Sequence, residues 1–225
     1  MEHFEKLSTE YHWADLILNV SAMNILTEVK QCGEKQDACC VLFYGPTGTG
    51  KTLTAALLRK ELNKEAMRID LSMVVSKYIG ETEKNLERIF ARAADKSWIL
   101  FFDEADALFG NRTNITDSLG KIENYQGLVI LSTQSKSNID DAFIRRLRYV
   151  IHFPLPEPPE RLRLWEQALT KNNLSTASID LSQIADKFRL SGGAIMNIVE
   201  KLRDENSAKT IDVNSGSIIK QFKNP

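Results

Sequence analysis

A chain of 225 residues, 43% apolar and 26% charged, has enough material for one large domain, or for a medium domain plus a small one, around a buried core. Its net charge is −1, with acids and bases interleaved in EKQ, RKELNKE and EKNLER, which argues against nucleic acid or an anionic membrane surface as the main partner. No apolar run approaches bilayer-spanning length and MEHFEKLSTEYHW has no signal-peptide core, so a reduced, cytoplasmic protein is expected.

In chain order, strand-like runs recur at CCVLFY (39–44), MRID (67–70), WILFFD (98–103), GLVILST (127–133) and YVIHF (149–153). They are continuously apolar or β-branched rather than alternating, as in strands covered on both faces. Helical stretches separate them, notably LTAALLRKEL (53–62) and ETEKNLERIFARAADK (81–96). In the second, Leu86, Ile89, Phe90 and Ala93 make one apolar stripe at i, i+3, i+4, i+7. Strand–helix alternation of this kind predicts a parallel α/β sheet. The cysteines Cys32, Cys39 and Cys40 lack metal-ligand spacing, and Cys39 and Cys40 enter an apolar run as buried thiols. His152 sits in a strand-like run, where a structural role outweighs metal ligation.

One crossover is short. Between Asp103 and Gly127 a parallel connection needs a helix, and only SLGKIENY (118–125) offers one. Either that helix is very short or a piece is missing near Ser118–Leu119. PLPEPPE (154–160) then breaks the pattern, and PERLRLWEQAL, DLSQIADKF, GGAIMNIVEKL and GSIIKQF read as helices. The expected division is an α/β nucleotide-binding core over 1–155 and a small all-helical subdomain over 156–225.

GPTGTGKT, from Gly45 to Thr52, fits the Walker A pattern G-x-x-x-x-G-K-T, follows a strand and opens a helix. The residues Gly45, Pro46, Thr47, Gly48, Thr49 and Gly50 let backbone amides curl around phosphate oxygens at a helix N-terminus. Lys51 reaches the β- and γ-phosphates, Thr52 offers a hydroxyl to Mg²⁺, and Leu53 follows at the helix start. WILFFDEAD supplies the Walker B half: Asp103 can hold Mg²⁺ through its water shell, and Glu104 can polarise an attacking water. The adjacent acid favours hydrolysis by water over transfer to a second substrate. ATP or ADP with Mg²⁺ is therefore the expected ligand set.

GPTGTGKT, KYIGETEKN, FFDEADALFG, STQSKSNIDDAFIRRLRYVIHFPLP and LSGGAIMNIV, in that order, make the chain resemble the AAA+ ATPases, within them the AAA group proper. The resemblance implies a P-loop NTPase sheet of order 5-1-4-3-2 with a C-terminal helical lid, assembling as homo-oligomeric rings, usually hexamers. It implies a sensor position at Gln134, where relatives carry asparagine, and arginine fingers at Arg145 and Arg148 that reach a neighbouring subunit's site. Arg146 fills a slot that is often proline, and Ala194 one that is often aspartate. Ser191, Gly192 and Gly193 match the small-residue turn that packs on nucleotide, and adenine contacts are assigned to backbone near Asp15 and Leu16. RIDLSMVVSKYIGETEKNLERIF and KSNIDDAFIRR further resemble bacterial AAA proteins associated with phage-tail-like contractile injection particles.

In such rings the loop matching Lys77, Tyr78, Ile79 and Gly80 lines a central channel, where an aromatic grips extended polypeptide; the alternative is that Tyr78 packs on its own subunit. The resemblance thus implies an ATP-hydrolysing protein that remodels, assembles or threads a protein partner. The competing reading is a nucleotide-gated scaffold with slow hydrolysis, which Gln134 and the short segment after Asp117 favour.

Overall fold

The computed structural model describes residues 4–35, 37–75, 81–94, 96–108, 115–174 and 180–208. Its elements are β1 (Glu5–Lys6), α1 (Val20–Glu34), β2 (Cys39–Tyr44), α2 (Lys51–Leu62), β3 (Ala66–Asp70), α3 (Leu71–Val74), α4 (Glu81–Ala94) and β4 (Ile99–Asp103), followed by α5 (Ile115–Asn124), β5 (Leu128–Thr133), α6 (Asp141–Ile144) and β6 (Tyr149–His152). The helices α7 (Pro158–Lys171), α8 (Leu181–Lys187) and α9 (Gly192–Ala208) complete the described chain. None of the helices described is long and apolar enough to cross a membrane.

Among the described residues one sheet forms, in the order β1-β3-β4-β5-β2-β6. The pairs β3–β4, β4–β5, β5–β2 and β2–β6 are all parallel. Counted along the chain, those five parallel strands lie in the expected order 5-1-4-3-2. The sixth, β1, was not foreseen: it adds antiparallel to β3, with Glu5 opposite Arg68 and Lys6 opposite Met67. Two charged residues carry no periodicity that would announce a strand.

The central strands are apolar on both faces because helices cover both. All six residues of β5 are buried. On one face Leu42, Ile69, Leu100, Phe102, Val129 and Leu131 meet the stripe Leu86, Ile89 and Ala93 of α4. Phe90 lies 5.8 Å from Phe102 and 5.7 Å from Tyr125, ring centre to ring centre. The Tyr125 hydroxyl donates to the Trp98 carbonyl at 2.7 Å, and burial pushes its pKa up to about 12. Each fully buried Leu or Phe side chain contributes roughly 1.5–3 kcal/mol over its exposed state. The crossover helix α5 starts at Ile115, three residues before the expected SLGKIENY. Cys32 and Cys39 are buried free thiols, and Cys40 is half-buried and also free.

Two units are distinguished among the described residues. The α/β unit comprises 4–13, 20–45 and 51–153; the second comprises 14–19, 46–50 and the chain from 154 onward. The second unit has its own core, built on Trp165, Leu169, Ile184, Ile195, Val199 and Leu202. Its first helix begins within PEPPE, at Pro158, as Pro and capping chemistry dictate. Pro158 and Pro159 supply a preset φ at the start, and the Glu160 carboxylate accepts from the Glu157 amide at 2.8 Å. Arg161 is buried beneath it, its Nε donating to the Ala185 carbonyl at 2.6 Å and its Nη1 to the carbonyl of Pro156.

Candidate functional site

β2 delivers the chain to the glycine loop. The Gly45 amide still donates to the Thr133 carbonyl at 3.2 Å, closing the ladder. Its φ is +146°, and a Cβ there would come within 2.0 Å of the Phe153 carbonyl oxygen. Gly48 and Gly50 also have positive φ, at +77° and +104°. Backbone of alternating hand makes concave amide nests that favour anions. A Cβ on Gly50 would meet nothing within 4 Å, so the loop is open there. The Thr49 hydroxyl donates to the Pro46 carbonyl at 2.8 Å and braces the turn.

Lys51 begins α2 and is only 9% exposed. Its Nζ donates to the Gly45 carbonyl at 2.6 Å, back across the loop. Burial lowers its pKa, and the nearby carboxylates of Asp103 and Glu104 work against that shift. Thr52, next on the helix, is exposed, and Leu53 is half-buried.

Within the second unit, the Gly193 amide donates to the Gly48 carbonyl at 2.8 Å. A Cβ on Gly48 would lie 2.5 Å from the Ser191 hydroxyl, and one on Gly193 would lie 3.1 Å from the Gly48 Cα. Gly192 opens α9, and the Ser191 hydroxyl accepts from the Ala194 amide at 3.3 Å. Asp15 is fixed by α7: Gln167 donates to its carbonyl at 3.0 Å and to Oδ1 at 3.1 Å, and Lys171 to Oδ2 at 2.7 Å. Leu16 beside it is buried.

β4 carries Asp103 to its C-terminal end, and there the structure adds a partner that sequence reasoning missed. Arg68 on β3 donates to Asp103 Oδ2 from Nε at 3.1 Å and from Nη2 at 2.8 Å. Its Nη1 donates to Glu5 Oε2 at 3.0 Å. Burial works against the charge on Arg68, but the pairs with Asp103 and Glu5 outweigh it and hold the pKa above the ordinary value. Asp103 Oδ1 accepts from the Glu104 amide at 3.2 Å. Glu104 itself has φ +52°, an uncommon conformation for a side-chain-bearing residue and one concentrated at functional sites.

The tip of β5 is pinned too. Thr133 Oγ1 donates to Asp106 Oδ1 at 2.9 Å and accepts from the Ser135 amide at 3.3 Å, while Gln134 between them is exposed. Ser132, 1% exposed, has a hydroxyl with no partner in the described structure. The register pairs Phe102 with Leu131, so Asp103 and Ser132 come next on their strands. A buried hydroxyl without a protein partner among the described residues suits a bound water. The Thr52 hydroxyl and the Asp103 carboxylate are of the hard-oxygen chemistry that Mg²⁺ accepts, since it takes one or two protein oxygens and keeps water and phosphate oxygens for the rest.

The basic cluster divides. Arg145 closes α6 and is exposed, with no side-chain partner among the described residues. Arg146 pairs with Glu123. Arg148 Nη1 donates to Cys32 Sγ at 3.4 Å, with the guanidinium 5.5 Å from the Tyr149 ring centre. Lys77, Tyr78, Ile79 and Gly80 lie outside the described residues. Arg68, Ser132 and Asp106 were not singled out from sequence. A charged residue inside the strand run MRID was the one visible signal for Arg68.

Two family models match the chain. Residues 41–155 match the ATPase family associated with various cellular activities, and residues 157–219 match a contractile injection system ATPase helical domain. Among curated relatives, the chain is 31% identical over 173 residues to cell division protein C of Sulfolobus acidocaldarius, covering 67% of this chain and 46% of that one. It is 33% identical over 171 residues to the ATPase family gene 2 protein of Saccharomyces cerevisiae, covering 68% and 22%. It is 31% identical over 175 residues to the uncharacterized AAA family ATPase y4kL of Sinorhizobium fredii, covering 68% and 53%. The chain thus spans about half or less of the length of these relatives.

Proposed function

The chain belongs to the ATPase family associated with various cellular activities, and from that premise we propose that it binds ATP with Mg²⁺ and hydrolyses it to ADP and phosphate. The observation that carries the proposal is the loop from Gly45 to Lys51: Gly45, Gly48 and Gly50 all have positive φ, and the buried Lys51 amine that ends the loop donates to the Gly45 carbonyl. Exchanging the Gly45 carbonyl for phosphate oxygens would let Lys51 follow the β- and γ-phosphates while loop amides hold the rest. Thr52 and Asp103 would hold the metal, whose part is to neutralise charge building on the phosphate oxygens. Glu104 has no hydrogen-bond partner for its carboxylate among the described residues, which leaves it available to orient and deprotonate a water. Gln134 is assigned to that water or the γ-phosphate. Gly192 and Gly193, with Asp15 and Leu16, are assigned to the nucleotide's remaining surface.

Arg145 and Arg148 complete the site of a neighbouring copy in a homo-oligomeric ring of the hexameric kind, and Lys77–Gly80 contacts a protein partner that the ring remodels or threads. The match of residues 157–219 to an injection-system helical domain supports a contractile injection particle as the setting, inside the cytoplasm. The amide at Gln134, one methylene longer than asparagine, supports a second reading in which ATP binding assembles the ring and turnover is slow. Steady-state ATP hydrolysis by the wild type and by Glu104→Gln tests both. Fast, Mg²⁺-dependent turnover lost in the variant supports the remodeller. Tight binding with barely detectable turnover supports the scaffold, and no nucleotide binding at all overturns the assignment.

A further inference from the structure

Resting on the Mg²⁺–nucleotide reading of the site, we propose that Arg68 is a positioning residue that sets which divalent cation the site accepts. A carboxylate offers about four lone-pair positions. On Asp103, Oδ2 receives two N–H groups of Arg68, at 3.1 and 2.8 Å, and Oδ1 receives the Glu104 amide at 3.2 Å. Among the described residues' contacts, one acceptor position is left, on Oδ1. Asp103 can therefore reach a cation through one water, and cannot wrap it with both oxygens while Arg68 is in place.

That restriction discriminates between cations. Mg²⁺ gives up its waters reluctantly and works with few protein oxygens, whereas Ca²⁺ seeks six to eight oxygens and readily takes carboxylates in bidentate fashion. A saturated Oδ2 thus costs Mg²⁺ little and denies Ca²⁺ its preferred ligand. The placement of Arg68 is set by the sheet. The register puts Arg68 beside Phe101 and Asp70 beside Asp103, so Arg68 approaches Asp103 diagonally across one face. Its far side is anchored on Glu5 Oε2 at 3.0 Å, from the edge strand β1.

The test uses the full chain, a fluorescent non-hydrolysable ATP analogue, and separate Mg²⁺ and Ca²⁺ titrations that read the half-maximal concentration for nucleotide binding. In Arg68→Gln, Ca²⁺ should gain on Mg²⁺ by about tenfold, the change that one hydrogen bond to a charged group represents. Arg68→Lys, a point charge with no fork, should shift the ratio the same way by less, and it decides the matter should Arg68→Gln fail to fold. An unchanged ratio, or a parallel fall for both cations, overturns the inference and leaves Arg68 as a support of the sheet. Should the wild type show no divalent-dependent nucleotide binding, the underlying site assignment falls, and the inference falls with it.

Discussion

The amide of Gly193 and the carbonyl of Gly48 meet at 2.8 Å, so a turn before α9 and the middle of the glycine loop share one hydrogen bond. Neither position has room for a side chain without movement: 3.1 Å separates a Cβ on Gly193 from the Gly48 Cα. Gly48→Ala suffers twice, from φ +77° and from a 2.5 Å approach to the Ser191 hydroxyl. Left-handed backbone alone costs an L-residue about 1–2 kcal/mol. Gly48→Ala is expected to weaken ATP binding by roughly tenfold or more, by the equivalence of 1.4 kcal/mol with tenfold. Titration of a labelled nucleotide measures it. Unaltered affinity would mean that the loop tolerates another shape.

Binding and chemistry should separate at two residues. Lys51→Ala removes the one side-chain cation at the start of α2 and should abolish ATP binding. Glu104→Gln should keep binding and turn over at least about a hundredfold more slowly, in the range attributed to a lost general base. Near-normal turnover by Glu104→Gln would point to another base.

Arg145 and Arg148 are predicted to act across a subunit boundary. Alanine at either should preserve nucleotide affinity and lower turnover, and mixing Arg145→Ala with Lys51→Ala protein should restore part of it. Arg145 is exposed and unpaired among the described residues, so Arg145→Ala should melt within about 0.5 kcal/mol of wild type, as surface changes usually do. Arg148→Ala also forfeits the contact with Cys32 Sγ and should lose slightly more. A wild-type protein that hydrolyses ATP at full rate as a monomer contradicts the arrangement.

Tyr78→Ala should leave basal hydrolysis and the melting temperature near wild type while partner-stimulated turnover disappears. Tyr78→Phe should retain most of that stimulation, since grip depends on the ring. A loss of about 3–5 kcal/mol in Tyr78→Ala, the scale of a large aromatic removed from a core, would make it a packing residue.

The strands were legible because their composition is extreme. CCVLFY, WILFF and LVIL are unbroken apolar runs, and such runs are buried wherever they pair. Their lateral order was available only through the family likeness, since periodicity says nothing about neighbours. The edge strand Glu5–Lys6 escaped because its pairing with Arg68 and Met67 spans some sixty residues of chain and leaves no local trace. The contact of Arg68 with Asp103 escaped for the same reason. It is a product of strand register, and two charges separated by 35 positions look unrelated on the string. The start of α5 at Ile115 was not legible because Asn114, Thr116 and Asp117, just before SLGKIENY, favour caps and turns over helix interiors.

The slender β1 strand has a practical corollary for anyone handling the protein. Together with the Leu7 amide, which donates to the Ala66 carbonyl at 2.9 Å, it covers the outer backbone of β3. Trimming the first eight residues would bare that strand, and bare strand edges recruit one another. The resulting clumping would be independent of ATP, yet in a light-scattering trace it would pass for ring formation. Leaving the first eight residues intact, and comparing traces with and without nucleotide, keeps the two kinds of association apart.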